Sequence, residues 1–271
     1  YIEYKENNDE TPKIYITFNT GQPLSKHLKA ADVASVDYSA TDGYSVAQDK
    51  VTYHMLESSY AGFGAGSYVM QIKNGHFVVI DGGILDDVDY LFEYLETLAV
   101  DENGNQLKPI VEAWVFSHSH SDHMGPVLGI MKDVDTYKNR IYVEGFYYNE
   151  PNGDIVEAYG KGSEQLTKAL KTCAAQVLKT TEGKSPQIYR IQTGQRYTFD
   201  DVTMDIMLSQ ELLSVADYEA TLDTNNSYQQ DSFNDTSTWC MFTIGEGDDA
   251  QKLFSAGDGS YSGKKYVCDM Y

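Results

Sequence analysis

Apolar and polar residues alternate with a period of two over several short runs, the signature of half-buried strands. Val51 to Leu56 reads as a strand, followed by a glycine-rich loop over 58–67. Tyr68 to Ile72 and His76 to Ile80 read as two more strands, joined by an Asn74-Gly75 hairpin turn. The third run ends at Asp81-Gly82-Gly83. In the polar stretch 1–50 only Lys13 to Phe18 alternates clearly, so 1–50 is expected to be an N-terminal extension and 51–271 the folded domain.

The period then becomes helical. Val88, Leu91, Phe92, Leu95 and Leu98 share one helical face, with Asp86 or Asp87 expected as the cap. Pro109 to Phe116 is predicted as a strand, Gly125 to Lys132 as a helix and Arg140 to Tyr147 as a strand. Leu166, Leu170, Cys173, Ala174, Val177 and Leu178 line a helix predicted over 163–181, with Gly183 as its stop. Short strands are expected at 187–191, 196–199 and 202–208, a loop with some helix over 211–230, and strands at 237–244 and 252–255. Hairpins mixed with strand–helix–strand steps predict an α+β fold: packed sheets with helices outside.

A chain of 271 residues can bury a full core. With 41% hydrophobic residues and no apolar run near ~18 residues, a globular chain without a membrane span is expected. The net charge of -21 argues against tight binding to duplex nucleic acid, which needs basic residues to displace counterions. A small-molecule anionic substrate stays compatible, because a bound metal inverts the local field. Cys173, Cys240 and Cys268 are too scattered for a disulfide framework or a Cys-x-x-Cys pair. The start at Tyr-Ile-Glu-Tyr, without Met, suggests trimming, consistent with a removed signal peptide. The 22 tyrosines, with many Asp, Asn and Gly, favour an extracellular or cell-surface location over the cytoplasm.

The chemistry concentrates in Ser117-His118-Ser119-His120-Ser121-Asp122-His123, directly after the apolar run Ala113 to Phe116. Imidazole and carboxylate are natural ligands for zinc-type ions. His118 and His120 are two apart and can point the same way at a strand end; Asp122 and His123 follow on the next turn. One loop can thus feed two adjacent metal positions, a pair that lowers the pKa of water and polarises the bond to be cleaved. The plain alternative makes Asp122 a helix N-cap and the histidines loop residues. Asp81 and Asp258 each end an apolar strand and precede glycine, as ligands, as holders of ligands, or as simple Asp-Gly turns.

Other positions carry weaker readings. His27, His54 and His76 are isolated and read as surface or packed histidines. Tyr147, Tyr148 and Asn149 border the cleft or pack. Tyr60 and Phe63 form a lip or an ordinary loop. No Gly-x-Ser-x-Gly elbow surrounds Ser237, and no P-loop or dinucleotide fingerprint is present.

The run Ser-His-Ser-His-Ser-Asp-His-Met-Gly resembles the His-x-His-x-Asp-His motif of the metallo-β-lactamase superfamily. Val-Val-Ile-Asp-Gly-Gly resembles its first Asp element, and Lys-Leu-Phe-Ser-Ala-Gly-Asp the element of its metal-bridging Asp. Within it the chain looks most like the hydrolase domain of ComEC-type competence proteins, through Asn234 to Ser237, Ile191 to Gln195 and the strand–loop–strand before Asp81. The resemblance covers about 51–271. It implies a four-layer αββα sandwich of the metallo-β-lactamase type. It also implies a divalent metal, zinc first with manganese or iron as alternatives, as one or two ions. Carried over by position, His118 and His120 would bind the first metal, Asp122 and His123 the second, and Asp258 would bridge them. Asp122 and Asp81 are the catalytic candidates, Asp81 as an orienting group.

Two departures stand out. No histidine follows His123; Ser209-Gln210 occupies the place where the family usually supplies one. The family's last histidine, often in a His-His-Gly element, would fall after Tyr271, so the domain is expected to be truncated there. The reading is a metal-dependent hydrolase acting on a phosphodiester or phosphoester. The alternatives are a non-catalytic binding or cell-surface module with a degenerate site, and a lactonase or thioesterase-like hydrolase.

Overall fold

A computed structural model describes residues 16–18, 50–58, 66–101, 103–151, 153, 162–210, 232–259 and 267. Eight strands form the larger sheet: β1 (Ile16–Phe18), β2 (Thr52–Met55), β3 (Ser67–Gln71), β4 (Phe77–Asp81), β5 (Ile110–Phe116), β6 (Tyr142–Val143), β7 (Gly145–Tyr148) and β8 (Gln187–Tyr189). Their order is β1-β2-β3-β4-β5-β7-β8, with β6 also on β5. The second sheet is antiparallel, β12-β11-β10-β9, from β9 (Arg196–Phe199), β10 (Val202–Leu208), β11 (Trp239–Ile244) and β12 (Gln251–Ser255).

The strand β4 has no polar member before Asp81, and every residue in it is buried. Both its faces are covered. Phe77 and Val79 pack with the helices α1 (Val88–Leu98), α2 (Gly125–Lys132) and α4 (Ser163–Thr172), which follows the short α3 (Val134–Tyr137). Val78 and Ile80 pack against Val202, Met204, Ile206 and Phe242 of the second sheet. Among the described residues three layers therefore follow one another, helices, larger sheet and smaller sheet: the expected α+β sandwich. A fourth layer is not seen among the described residues. Side chains of this kind contribute about 1.5–3 kcal/mol each when fully buried.

Parallel pairing decides where function can sit. β4, β5, β7 and β8 run parallel, so their C-terminal ends share one rim. β10 and β12 also end there, beside the start of β11, since Leu208 pairs with Trp239 and Ser255 with Cys240. A bulge at Glu112 shifts the register of β5 against β4. The Glu112 carboxylate accepts from Asn74 Nδ2 at 2.6 Å and lies 2.7 Å from His76 Nδ1, at the opposite end from the rim.

Local expectations are refined in four places. The helix expected to Thr181 ends at Val177, through a π turn over Cys173–Val177 closed by Leu178 N–H on the Cys173 carbonyl. Beyond it Lys179 accepts from Val143 N–H, so the chain leaves the helix to edge the sheet, and Gly183 belongs to the turn after it. The strand expected over 140–147 breaks at Glu144, whose N–H bonds Val111. The strand expected from Ser237 begins at Trp239, because Thr238 N–H is taken by the Ser117 carbonyl. Asp87 does precede α1, but its carboxylate accepts from Ile84 N–H and Ser58 Oγ behind it. The loop at 59–65, with Tyr60 and Phe63, the stretch 211–230 and His27 lie outside the described residues. No described helix is long and apolar enough to cross a membrane.

Candidate metal centre

β5 delivers Ser117 to the rim, and the chain then turns. His123 N–H and Met124 N–H both reach the His120 carbonyl, at 3.2 and 2.9 Å. That turn folds His123 back until its ring centre lies 4.2 Å from that of His118. Gly125 opens α2 and makes the sharp exit possible. A Cβ there would stand 2.2 Å from the Ile84 carbonyl carbon, and its N–H bonds Gly83 at 3.1 Å.

Asp81 organises the floor. It ends β4 with φ 56°, a left-handed conformation in which Asp and Asn are the best tolerated non-glycine residues. Its carboxylate accepts from Ser117 N–H at 2.7 Å, Ser117 Oγ at 2.8 Å and His123 Nδ1 at 2.8 Å. The indole of Trp114 donates to its carbonyl at 2.9 Å. Every one of these groups is buried.

Holding Nδ1 of His123 turns Nε2 toward the rim. Nε2 lies 3.3 Å from Asp258 Oδ1 and 4.0 Å from Asp122 Oδ2. The contact with Asp258 lacks hydrogen-bond alignment, so Nε2 is buried without a hydrogen-bonding partner. Leaving such a nitrogen unsatisfied costs about 1–3 kcal/mol, a cost that a bound cation would remove. Burial opposes charge on this ring, yet the Asp81 and Asp258 carboxylates raise His123 to about 10. Asp258 in turn is lowered by the adjacent His123, against burial.

His118 is set differently. Burial, reinforced by the neighbouring His123 and His120 charges, holds it well below the usual imidazole value and hence neutral. Ser117 Oγ donates to Asp81, so its oxygen is left to accept from His118 Nδ1, 3.0 Å away. Ser237 Oγ lies 3.2 Å from the same nitrogen and accepts from Asp258 N–H at 3.2 Å. With Nδ1 carrying the proton, Nε2 keeps its lone pair, facing His120 Nδ1 at 2.9 Å. Gly257, at φ 53°, lets the Asp258 segment approach this closely; a Cβ there would stand 2.7 Å from Ser117 Cβ.

His118, His123 and Asp258 thus offer one ligand atom each, all within 4.8 Å of one another. His120 and Asp122 border this group, and Asp81 lies behind it. The pairs given by loop order are close as well: His118 Nε2 lies 2.9 Å from His120 Nδ1, and His123 Nε2 4.0 Å from Asp122 Oδ2. Two contributors escape a reading by sequence, Ser117 and Ser237. Only their position immediately before a histidine and before a strand marks them. Ser209 and Gln210, where a further histidine was expected, are buried and tied to Asn149 through Ser209 Oγ and Gln210 Nε2. Tyr148 packs under the helices with its hydroxyl on Thr167, and Tyr147 stacks on Tyr189 at 4.8 Å, so both are packing residues.

No protein-family model and no curated protein matches the chain. Among solved structures it is similar to the metallo-β-lactamase fold protein YhfI from Bacillus subtilis, at 14% identity over 79% of this chain and 64% of that one, with a TM-score of 0.41. A Cronobacter sakazakii metallo-β-lactamase with a HARLDQ motif aligns at 14% identity over 70% and 56%, TM-score 0.35. A diphosphatase from the PhnP family aligns at 17% identity over 52% and 42%, TM-score 0.30. The chain spans little more than half the length of the Cronobacter enzyme and less than half that of the diphosphatase.

Proposed function

We propose that the chain is a metal-dependent hydrolase of the metallo-β-lactamase superfamily, of the ComEC-like branch, acting on a phosphodiester or phosphoester. The observation that carries this reading is the buried Nε2 of His123, without a hydrogen-bond partner and 3.3 Å from Asp258, with Asp81 holding the ring from behind. His118 and Asp258 complete a His-His-Asp donor set of the kind that binds zinc and related ions.

His118, His123 and Asp258 would hold the ion, with His120 and Asp122 at its margin. A divalent cation there supplies Lewis acidity and lowers the pKa of water. Asp81 keeps His123 oriented through Nδ1. Ser117 and Ser237 keep His118 in the tautomer that leaves the lone pair on Nε2, beside His120 Nδ1. Asp122, partly exposed beside His123 Nε2, is the carboxylate placed to take a proton from an incoming water or pass one to a leaving group.

The test is metal content of the purified protein by elemental analysis, with turnover of a generic phosphodiester before and after chelation. Stoichiometric metal and chelator-sensitive turnover are expected. Metal-free protein without turnover would favour the second reading, a binding or cell-surface module, which the absence of any histidine after His123 motivates.

A further inference from the structure

The chain has three arginines, Arg140, Arg190 and Arg196. Two are neutralised by carboxylates. Arg140 grips Glu96 through Nε and Nη2, each at 2.7 Å, and reaches Asp89 at 3.3 Å. Arg196 grips Asp205 through Nε and Nη2 at 2.6 and 3.0 Å. Arg190 is different. It is exposed, no carboxylate pairs with it among the described residues, and its Nε–H donates to a neutral group, Asn149 Oδ1, at 3.4 Å.

The place of Arg190 gives that difference meaning. Phe116 pairs with Tyr148, and Tyr147 with Tyr189, in parallel register. One step beyond these strand ends, Ser117, Asn149 and Arg190 stand near one another on the rim that carries the histidines. Neighbouring strands lie about 4.8 Å apart, so the Arg190 backbone starts about 10 Å from the histidine loop. Its side chain engages Asn149 on the strand between, which shortens that gap.

Asn149 is itself a built support. It is buried, its Nδ2 donates to Ser209 Oγ, and its carbonyl accepts from Gln210 Nε2 at 3.1 Å. Ser209 N–H is in turn held by Thr193 Oγ1 at 2.9 Å. An amide in this position steers the guanidinium without cancelling its charge, as an aspartate would. In a chain of net charge -21, a cation with no acid partner among the described residues, on the rim that carries a His-His-Asp cluster, suits capture of an anion.

We infer that Arg190 is the oxyanion-binding residue of this site, receiving a phosphoryl or carboxylate group of the substrate beside the His118–His123–Asp258 cluster. The identity of the bound molecule as substrate rests on the hydrolase reading; the binding of an oxyanion does not.

Inorganic phosphate and sodium acetate are each titrated calorimetrically into the purified protein and into folded Arg190→Gln, Arg190→Lys and Arg196→Gln variants. Arg190→Gln is expected to weaken the better-bound anion about tenfold, and Arg190→Lys to weaken it less, since lysine keeps charge but loses the two-pronged grip. Arg196→Gln should match the parent protein. The anion held more tightly, phosphate or acetate, identifies the group the site takes. Equal affinity in the parent and Arg190→Gln overturns the inference, as does equal weakening by Arg196→Gln or absence of binding by either anion. If Arg190→Gln does not fold, Arg190→Lys is decisive on its own: unchanged affinity overturns the inference. A hydrolase failure reads out separately, as missing chelator-sensitive turnover with Arg190-dependent anion binding intact.

Discussion

The carboxylate of Asp81 and the imidazole of His123 meet at 2.8 Å in the buried floor of the rim, each 2% exposed. This contact sets both the charge and the direction of His123. Asn at position 81 tolerates the left-handed backbone and keeps the shape but removes the charge. Asp81→Asn is therefore expected to fold and to bind metal about 10–100-fold more weakly, the usual cost of losing a carboxylate behind a ligating histidine. Competition against a chromophoric chelator measures this. Unchanged affinity would remove Asp81 from the site.

Gly125→Ala should be costly although it adds one methyl. The new Cβ would meet backbone atoms of Ile84, Leu85 and Gly83 at 2.2–2.6 Å, and backbone cannot step aside as a flexible side chain can. The expected loss is about 1–3 kcal/mol, the range for overpacking, read from urea denaturation. Because α2 begins two residues after His123, metal content should fall as well. A variant with parental stability would show that α2 is free to shift.

Acid should destabilise the protein through a buried histidine outside the His118–His123–Asp258 cluster. His54 is fully buried, bonded through Nδ1 to the Tyr94 hydroxyl at 2.8 Å, and burial lowers it from 6.5 to about 4. Between pH 6.5 and 4 the unfolded chain binds a proton there that the folded chain refuses. Stability is thus full above pH 6.5, falls as pH drops through that window, and levels off below about 4 for this group, by roughly 3 kcal/mol in all. Urea unfolding at a series of pH values should show this slope, and His54→Gln should flatten it. An identical slope in that variant would assign the acid sensitivity to other groups.

Strands and helices are readable wherever one period dominates. Val88, Leu91, Phe92, Leu95 and Leu98 repeat at helical spacing and all are buried on α1. The same rule fails at Leu178, whose apolar character continues the helical face while its backbone is extended. Its side chain fills the core from either conformation, so pattern alone cannot place the helix end. In the site, the gathering of histidines near Asp258 follows from strand ends preceding glycine, which the sequence displays. Which histidine sits beside which does not. That depends on the turn closed on the His120 carbonyl, a backbone event with no side-chain signature. Arg190 is hidden for a similar reason: its proposed role rests on the lack of a carboxylate partner among the described residues, and neighbours are known only after folding.

Spatial grouping and loop order give two rankings of ligands. If loop order set the ions, His118→Ala and His120→Ala would be equally harmful. The tightest cluster joins His118, His123 and Asp258, with His120 Nδ1 2.9 Å from His118 Nε2. Alanine at 118, 123 or 258 is expected to weaken metal binding by more than about a hundredfold, beyond the effect of a supporting residue, and alanine at 120 by about tenfold. Elemental analysis after dialysis against a fixed metal buffer ranks the four variants. Equal losses at 118 and 120, with binding retained at 123, would favour the loop-order pairing over the His118–His123–Asp258 grouping.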